Sequence, residues 1–127
     1  MEFNEREPIY LQIIDDFKQK FANGTYQPGQ EIPSRRDLAA QLRVNPNTVQ
    51  RAYREMEEMN LIKTLRGQGS FLTDDASVAR TIREEMVNRL VSDFVRKMSA
   101  LGRSAADILS DLKLYLDSKG SDPVDHD

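Results

Sequence analysis

Apolar residues recur with helical spacing in the first part of the chain. In residues 8–23, positions 10, 13, 14, 17 and 21 are apolar, which predicts a helix with one buried face, with Pro8 in its first position. A second helix is predicted to begin after Ser34 as N-cap. A third is predicted to begin at Asn45-Pro46, because Asn is a favoured N-cap and proline fits the first helical position. The predicted buried stripe of the third helix is Val49, Ala52, Tyr53 and Met56.

The pattern then changes to two short extended runs, residues 61–65 and 70–72, around the four-residue segment Arg66-Gly67-Gln68-Gly69. Extended runs on both sides of a glycine-containing loop predict a β-hairpin. A further short extended piece is predicted at residues 30–32. The order helix, strand, helix, short turn, helix, hairpin is that of a winged helix-turn-helix.

Two more helices are predicted after the hairpin, the first running to about residue 101 and the second over residues 104–119, with a break at Gly102. The sequence therefore predicts a mainly α fold with a small β-hairpin. Its expected parts are a winged helix-turn-helix at residues 1–73, a two-helix region at 74–120 and a disordered acidic tail at 121–127.

Charge is unevenly distributed along the chain. The net charge is −3, yet residues 34–71 carry seven basic and four acidic side chains. A locally basic face on an acidic chain is compatible with phosphate binding, although a randomly solvated face would have the same composition.

Several chemistries are disfavoured by composition. The chain has no cysteine, which excludes disulfides and thiolate metal sites, and its one histidine, His126, lies in the tail. No Ser–His or Cys–His catalytic set is therefore expected, and a metal site at Asp122, Asp125 and His126 is disfavoured in a segment predicted to be unstructured. No apolar run approaches the roughly 20 residues of a membrane span. A cytoplasmic protein without catalytic residues, metal or cofactor is expected.

The polar side of the third helix is the first candidate site. The side opposite its buried stripe carries Asn47, Arg51, Arg54 and the acidic Glu58 at helical spacing. In a helix-turn-helix the second helix reads base edges in the major groove, where Asn pairs with adenine and Arg with guanine. Thr48 can reach a phosphate or a thymine methyl group. The alternative is an amphipathic helix whose polar side is merely solvated, and the hairpin that follows favours DNA reading.

Two further segments are candidates for DNA contact. Ser34-Arg35-Arg36 begins the second helix, which crosses the DNA backbone in this architecture, where arginine fits phosphate oxygens. Two ordinary surface arginines are the alternative. The hairpin tip, Arg66-Gly67-Gln68, is a slim loop with one cation, which a minor groove about 6 Å wide admits. Its glycines are also common in turns that touch nothing.

These segments resemble a known family. The run PGQEIPSRRDLA at residues 28–39 resembles the signature of the GntR family of regulators, and NPNTV at 45–49 and LRGQG at 65–69 resemble its YtrA subfamily. The resemblance is dense over residues 8–73 and implies a dimer that binds an operator with two-fold symmetry. Many members carry arginine at the Pro46 position, so base preference is not carried over. By motif position the implied DNA contacts are Arg36, Asn47, Thr48, Gln50, Arg66 and Gly67.

The C-terminal helices carry broad apolar rows. Two helices packed on each other would leave part of these rows exposed, and contiguous exposed apolar patches usually mark interfaces. We therefore expect a dimerisation region here. The candidate interface residues are Ile82, Met86, Leu90, Phe94, Met98, Leu112 and Tyr115.

Together these features predict a homodimeric transcription regulator whose partner is double-stranded operator DNA, with a repressor favoured over an activator and no effector assigned. One alternative is a protein-interaction module that uses the winged helix as a scaffold, against which the clustered arginines count. A small enzyme is the other alternative, and the missing nucleophile–base set counts against it.

Overall fold

The computed structural model describes residues 1–119, so Gly120 and the tail predicted at 121–127 lie outside the described residues. The mainly helical prediction is confirmed, and each predicted helix and strand within residues 1–119 is present. The elements are, in order, α1 (Ile9–Ala22), β1 (Glu31–Ile32), α2 (Arg35–Leu42), α3 (Pro46–Glu58), β2 (Ile62–Leu65), β3 (Gly69–Leu72), α4 (Ala76–Ala100) and α5 (Ala105–Ser118).

The chain forms two compact units, Met1–Glu85 and the part from Met86 on. The boundary between them falls inside α4, whereas the sequence prediction divided the chain between residues 73 and 74. The difference has a local cause. Ile82 is buried within the first unit, and the neighbouring Arg83 donates from Nη1 to the carbonyl oxygen of Ala22 at 3.2 Å. The first turns of α4 therefore complete the core of the first unit.

Helix starts follow the local chemistry of their caps. The predicted caps of α2 and α3 are confirmed, because the Ser34 hydroxyl accepts from the Asp37 amide at 3.0 Å and the Asn45 side chain accepts from the Asn47 amide at 2.8 Å. The position predicted for Pro8 was wrong by one residue. Its backbone is extended, with φ −56° and ψ 140°, so it is the N-cap residue of α1.

The three strands form one antiparallel sheet in the order β1-β3-β2. We call β2, β3 and the loop between them the wing. This loop has three residues instead of the predicted four, because Gly69 pairs with Leu65 and so belongs to β3. The amide of Gln68 closes the turn by donating to the carbonyl of Leu65 at 2.9 Å.

The core of the first unit lies between α1, α3 and the sheet. The predicted stripe of α3 is confirmed, since Val49, Ala52, Tyr53 and Met56 are each 0% exposed. Phe17 of α1 meets Tyr53 edge to face, with ring centroids 6.0 Å apart. This packing fixes α3 and leaves its polar side facing outward.

One polar side chain, Gln12, is buried at the start of α1. Its Nε2 donates to the carbonyl oxygens of Asn4 and Glu7, both at 2.9 Å, and its Oε1 accepts from the Asn4 amide at 3.0 Å. Gln12 thereby satisfies its own polar atoms and holds residues 4–7 against the first turns of α1.

A chain of polar contacts, which we call the Arg35–Ser70 network, joins α2, α3 and the wing. Arg35 Nη2 donates to Glu57 Oε1 at 3.1 Å. The other carboxylate oxygen of Glu57 accepts from the Thr64 hydroxyl, which lies 3.0 Å from the hydroxyl oxygen of Ser70. Ser70 is buried and the charged pair is partly buried. The network therefore ties α2 and α3 to both strands of the wing.

Tyr53 supports this network from inside the core. The Arg35 guanidinium lies over the Tyr53 ring at 5.3 Å from its centroid, and the Tyr53 hydroxyl donates to the carbonyl of Pro33. Burial raises the pKa of Tyr53 above its ordinary value. The phenol is thus protonated, and can donate its hydrogen bond, even in alkaline solution where an exposed tyrosine would ionise.

In the second unit, the turn between its helices is held by charge and capping. Arg103 donates to both carboxylate oxygens of Asp111 at 2.8 Å, and Ser104 and Asp107 form a reciprocal capping box at the start of α5. From residue 86 to residue 119, however, Ile108 is the sole buried residue. This unit has almost no core of its own within the described chain.

Replacing Glu57 by alanine should lower the free energy of unfolding by about 1–2 kcal/mol, because it leaves the partly buried Arg35 without its carboxylate. Urea unfolding followed by circular dichroism measures this. Glu58→Ala is the matched control, since Glu58 is the next residue of α3 and is exposed. Equal stability of the two variants would show that the network adds nothing to the fold.

Candidate nucleic-acid interface

The exposed side of α3 carries the residues that the sequence predicted for base reading. Asn47, Gln50, Arg51 and Arg54 are exposed, and Thr48 is half-buried beside them. Because the opposite side of the helix is fully buried, these polar side chains share one solvent-facing strip. Amide and guanidinium groups in such a strip can pair with adenine and guanine in a major groove.

Arg51 is already held in place within the chain. Its Nε lies 3.1 Å from Glu55 Oε2, and its guanidinium carbon lies 3.9 Å above the centroid of the Tyr10 ring. Sequence analysis missed Tyr10 as part of this site, because its apolar spacing placed it in the buried stripe of α1. It is half-buried, at the end of that stripe.

The start of α1 and the start of α3 border a surface cleft of about 570 Å³. The α1 side contributes the Tyr10 ring, and the α3 side contributes polar groups near the helix N-terminus. Backbone N–H groups at a helix start favour negatively charged partners such as phosphate. The cleft is lined by Pro8, Ile9, Tyr10, Asn45, Asn47, Thr48 and Arg51.

The three residues predicted at the start of α2 occupy different positions. Arg36 is exposed, and within residues 1–119 it forms no ion pair. Ser34 is exposed, but its hydroxyl oxygen caps α2. Arg35 takes part in the Arg35–Ser70 network through its ion pair with Glu57. Of the two arginines at this helix start, Arg36 is therefore the one without an ion pair in residues 1–119 and available to a phosphate, and Arg35 has mainly a structural position.

Acidic residues of α3 are largely neutralised by neighbouring arginines. Glu55 pairs with Arg51 and Glu57 pairs with Arg35, which leaves Glu58 as the acidic residue of this helix without an ion pair in the described chain. These pairings reduce the repulsion that a polyanion would meet at this surface.

The wing tip is thin and exposed. Arg66, Gly67 and Gln68 are all exposed, and a Cβ placed on Gly67 would have no atom within 4 Å. Gly67 has φ +75°, a backbone conformation that glycine adopts without strain. The tip thus offers one cation on a narrow projection.

Most residues predicted for dimerisation are accessible in the single chain. Leu90, Phe94, Leu112 and Tyr115 are exposed, and Met86 and Met98 are half-buried. Ile82 differs, since it is buried in the first unit.

Metal-binding clusters and membrane-spanning helices are absent from the described part of the chain. Residues 1–119 contain no cluster of three or more His, Cys, Asp or Glu that could bind a metal ion. No helix in that part is long and apolar enough to span a bilayer.

Comparison with known proteins gives concordant matches. The model of the bacterial regulatory proteins of the gntR family matches residues 9–72. The HTH-type transcriptional regulator YhcF of Bacillus subtilis is 35% identical over 114 residues, covering 90% of this chain and 94% of YhcF. The HTH-type transcriptional repressor YtrA of the same organism is 38% identical over 91 residues, covering 68% of this chain and 70% of YtrA.

Solved structures agree with these matches. A GntR family transcriptional regulator from Listeria monocytogenes superposes with a TM-score of 0.83 at 38% identity, covering 87% of this chain and 97% of that one. The DNA-binding domain of AraR in complex with operator ORX1 has the same fold, with a TM-score of 0.51 at 22% identity over 57% of this chain and 93% of that one.

The predicted family resemblance is therefore confirmed. With its winged helix-turn-helix and its YtrA-like relatives, this chain belongs to the GntR family and is a DNA-binding transcription regulator.

Proposed function

We propose that the protein is a cytoplasmic homodimeric repressor that binds an operator made of two inverted half-sites. The observation that carries this proposal is the combination of an exposed basic face on the first unit with a second unit that has almost no core within residues 86–119. The first provides one DNA-binding head per chain, and the second requires a partner to bury its apolar surface.

In the proposed complex α3 lies in the major groove. Asn47, Gln50, Arg51 and Arg54 face base edges, and Thr48 lies near the backbone or a thymine methyl group. Support comes from their shared exposure on the side of α3 opposite its buried stripe.

Contacts outside the major groove come from α2 and the wing. Arg36 binds a backbone phosphate, and Ser34 lies beside it with its backbone at the helix start. Arg35 supports this contact from behind through its ion pair with Glu57. The wing tip, Arg66-Gly67-Gln68, enters the adjacent minor groove, where Arg66 meets the negative potential between the phosphates.

Dimerisation is argued from the apolar surface of the second unit. Leu90 is 69% exposed and Tyr115 is 58% exposed, yet both lie in rows of apolar residues. Two helices with one buried residue cannot bury enough apolar area to be stable alone. A second copy that covers these rows would supply the missing core. The proposed interface comprises Met86, Leu90, Phe94, Met98, Leu112 and Tyr115; Ile82 is left out, because it is already buried.

The names of two similar proteins support two parts of this proposal, repression and operator binding. YtrA of Bacillus subtilis is named a repressor, and the AraR domain that shares this fold was solved on an operator. Two heads of one dimer occupy successive major grooves on one side of the DNA and exclude RNA polymerase from the promoter.

In vitro selection from a random-sequence DNA library should yield an inverted repeat. Two identical heads related by two-fold symmetry demand two inverted half-sites, with centres one helical turn or a multiple apart. Sequencing of the bound DNA measures the repeat and its spacing. Recovery of a single asymmetric site, or of no enriched sequence, would contradict the proposed operator.

Leu90→Asp should give a monomer or an aggregate and weaken binding to the selected DNA by orders of magnitude. An unpaired carboxylate in a buried interface is strongly unfavourable, and a single head loses the high effective concentration of its partner. Light scattering measures the mass, and gel shifts measure the affinity. Ser92→Asp is the matched control, because it adds the same charge on the opposite side of α4. A Leu90→Asp dimer with full affinity would remove the second unit from the mechanism.

Gly67→Asp should abolish tight binding, whereas any fall in the unfolding temperature caused by a side chain at φ +75° should be shared by the uncharged variant Gly67→Asn. The added carboxylate would enter a groove bordered by phosphates, whereas the space around Gly67 in the free protein is open. Gly67→Asn is the control, since it has the same shape and the same positive φ but no charge. Equal affinity of the Asp and Asn variants would show that the wing tip does not approach DNA.

A further inference from the structure

Arg51 and Tyr10 form a contact between α3 and α1 that the proposed DNA-binding role does not itself require. The guanidinium lies 3.9 Å from the ring centroid, close enough for direct stacking on the aromatic face. Tyr10 also lines the cleft that contains Asn47 and Thr48. An aromatic residue of α1 thus lies directly beside the base-reading strip of α3.

The second contact of Arg51 determines which of its donors remain available. Glu55 engages Nε at 3.1 Å, and neither terminal nitrogen of Arg51 has a hydrogen-bond partner within residues 1–119. Bidentate recognition of guanine needs two N–H donors that point the same way. With Nε held by Glu55 and the guanidinium plane held by Tyr10, the two terminal nitrogens are presented together.

The position of Tyr10 is itself fixed. Gln12 holds the preceding residues 4–7 against α1 through three hydrogen bonds, and Pro8 sets the start of the helix. The backbone at the start of α1, which carries the ring, is therefore anchored. A long arginine side chain otherwise loses considerable rotamer freedom when it binds, and a support in the free protein removes part of that cost.

We propose that Tyr10 is a positioning residue for sequence reading, which holds the Arg51 guanidinium in the orientation that recognises one guanine in each half-site. The inference rests on the proposed base-reading role of α3. Tyr10 acts through its aromatic face and through Arg51, so its hydroxyl is dispensable. Direct binding of a phosphate by the Tyr10 hydroxyl is the competing role, and the variants below separate the two.

The test compares the full-length wild type with Tyr10→Phe, Tyr10→Leu, Arg51→Ala and the double variant Tyr10→Leu/Arg51→Ala. Each is titrated against the selected DNA, against copies with every single base-pair change, and against unrelated DNA. Arg51→Ala should lose about 5- to 150-fold in specific affinity and flatten the preference at one base pair per half-site.

Tyr10→Leu should bind the selected DNA about two- to fivefold more weakly, and its preference should fall at the same base pair as in Arg51→Ala. Its affinity for unrelated DNA should be unchanged. Tyr10→Phe should retain the wild-type profile, because the aromatic face remains. In the double variant the leucine should add nothing to the loss caused by Arg51→Ala. Arg36→Ala provides the contrast, since loss of a phosphate contact should weaken all DNA alike.

NMR of the free protein gives a readout that does not involve DNA. The Tyr10 ring should shift the side-chain proton signals of Arg51 upfield in the wild type and in Tyr10→Phe, and this shift should vanish in Tyr10→Leu. A wild type without this shift would overturn the inference. So would a Tyr10→Leu variant that binds all DNA more weakly by the same factor. An equal loss of affinity on adding Tyr10→Leu to the wild type and to Arg51→Ala would also overturn it. Loss of affinity in Tyr10→Phe would instead assign Tyr10 to a phosphate.

The two proposals fail in different ways. A wild type that selects no preferred DNA sequence would remove the base-reading role of α3 and the positioning role of Tyr10 with it. A wild type that selects an inverted repeat, combined with a Tyr10→Leu variant of unchanged base preference, would overturn the positioning role alone.

Discussion

A partly buried positive charge organises the DNA-binding unit. Arg35 lies between the carboxylate of Glu57 and the ring of Tyr53, and the second oxygen of that carboxylate binds the Thr64 hydroxyl of the wing. Removing the partner of a buried charge lowers the free energy of unfolding by several times the contribution of an exposed ion pair. The fold therefore favours arrangements in which the partners of Arg35 stay in place. The requirement couples α2, α3 and the wing, which are the three elements proposed to contact DNA. Their relative placement is thus set by the fold and does not await the ligand.

The two units obtain their stability in different ways. The first has a core of aromatic and aliphatic side chains in which the α3 stripe is fully buried. The second has well-formed local structure, with a capping box and the bidentate Arg103–Asp111 pair, but little burial. Local hydrogen bonds specify a helix, whereas apolar burial provides most of its stability. This contrast is why self-association is the natural proposal for the second unit and not for the first.

The features predicted from the sequence follow from local capping and side-chain periodicity, and those that were missed depend on backbone pairing or on contacts between different elements. The caps at Ser34 and Asn45 involve neighbours two or three residues away, and the α3 stripe follows from helical periodicity. Leu65 pairs with Gly69 through backbone groups that no side-chain pattern reveals, so the wing loop was predicted one residue too long. Arg35 was assigned to the surface because its partner Glu57 is 22 residues away. Tyr10 was assigned to the core from its spacing in α1. The periodicity of one helix does not show which residue of another helix contacts it, so the contact of Tyr10 with Arg51 was not predicted.

Gln12 illustrates a constraint that hydropathy scales do not register. Its side chain presents two N–H donors and one carbonyl acceptor, and all are satisfied by the backbone of residues 4 and 7. Glutamate has the same length but lacks the donors, leucine has the volume but neither function, and asparagine is one methylene too short. Among proteins that keep this arrangement, position 12 should therefore vary less than the apolar positions around it, where one aliphatic residue can replace another. A buried amide on the side of α1 away from its apolar stripe is then an informative sign that the preceding segment is folded back onto the helix.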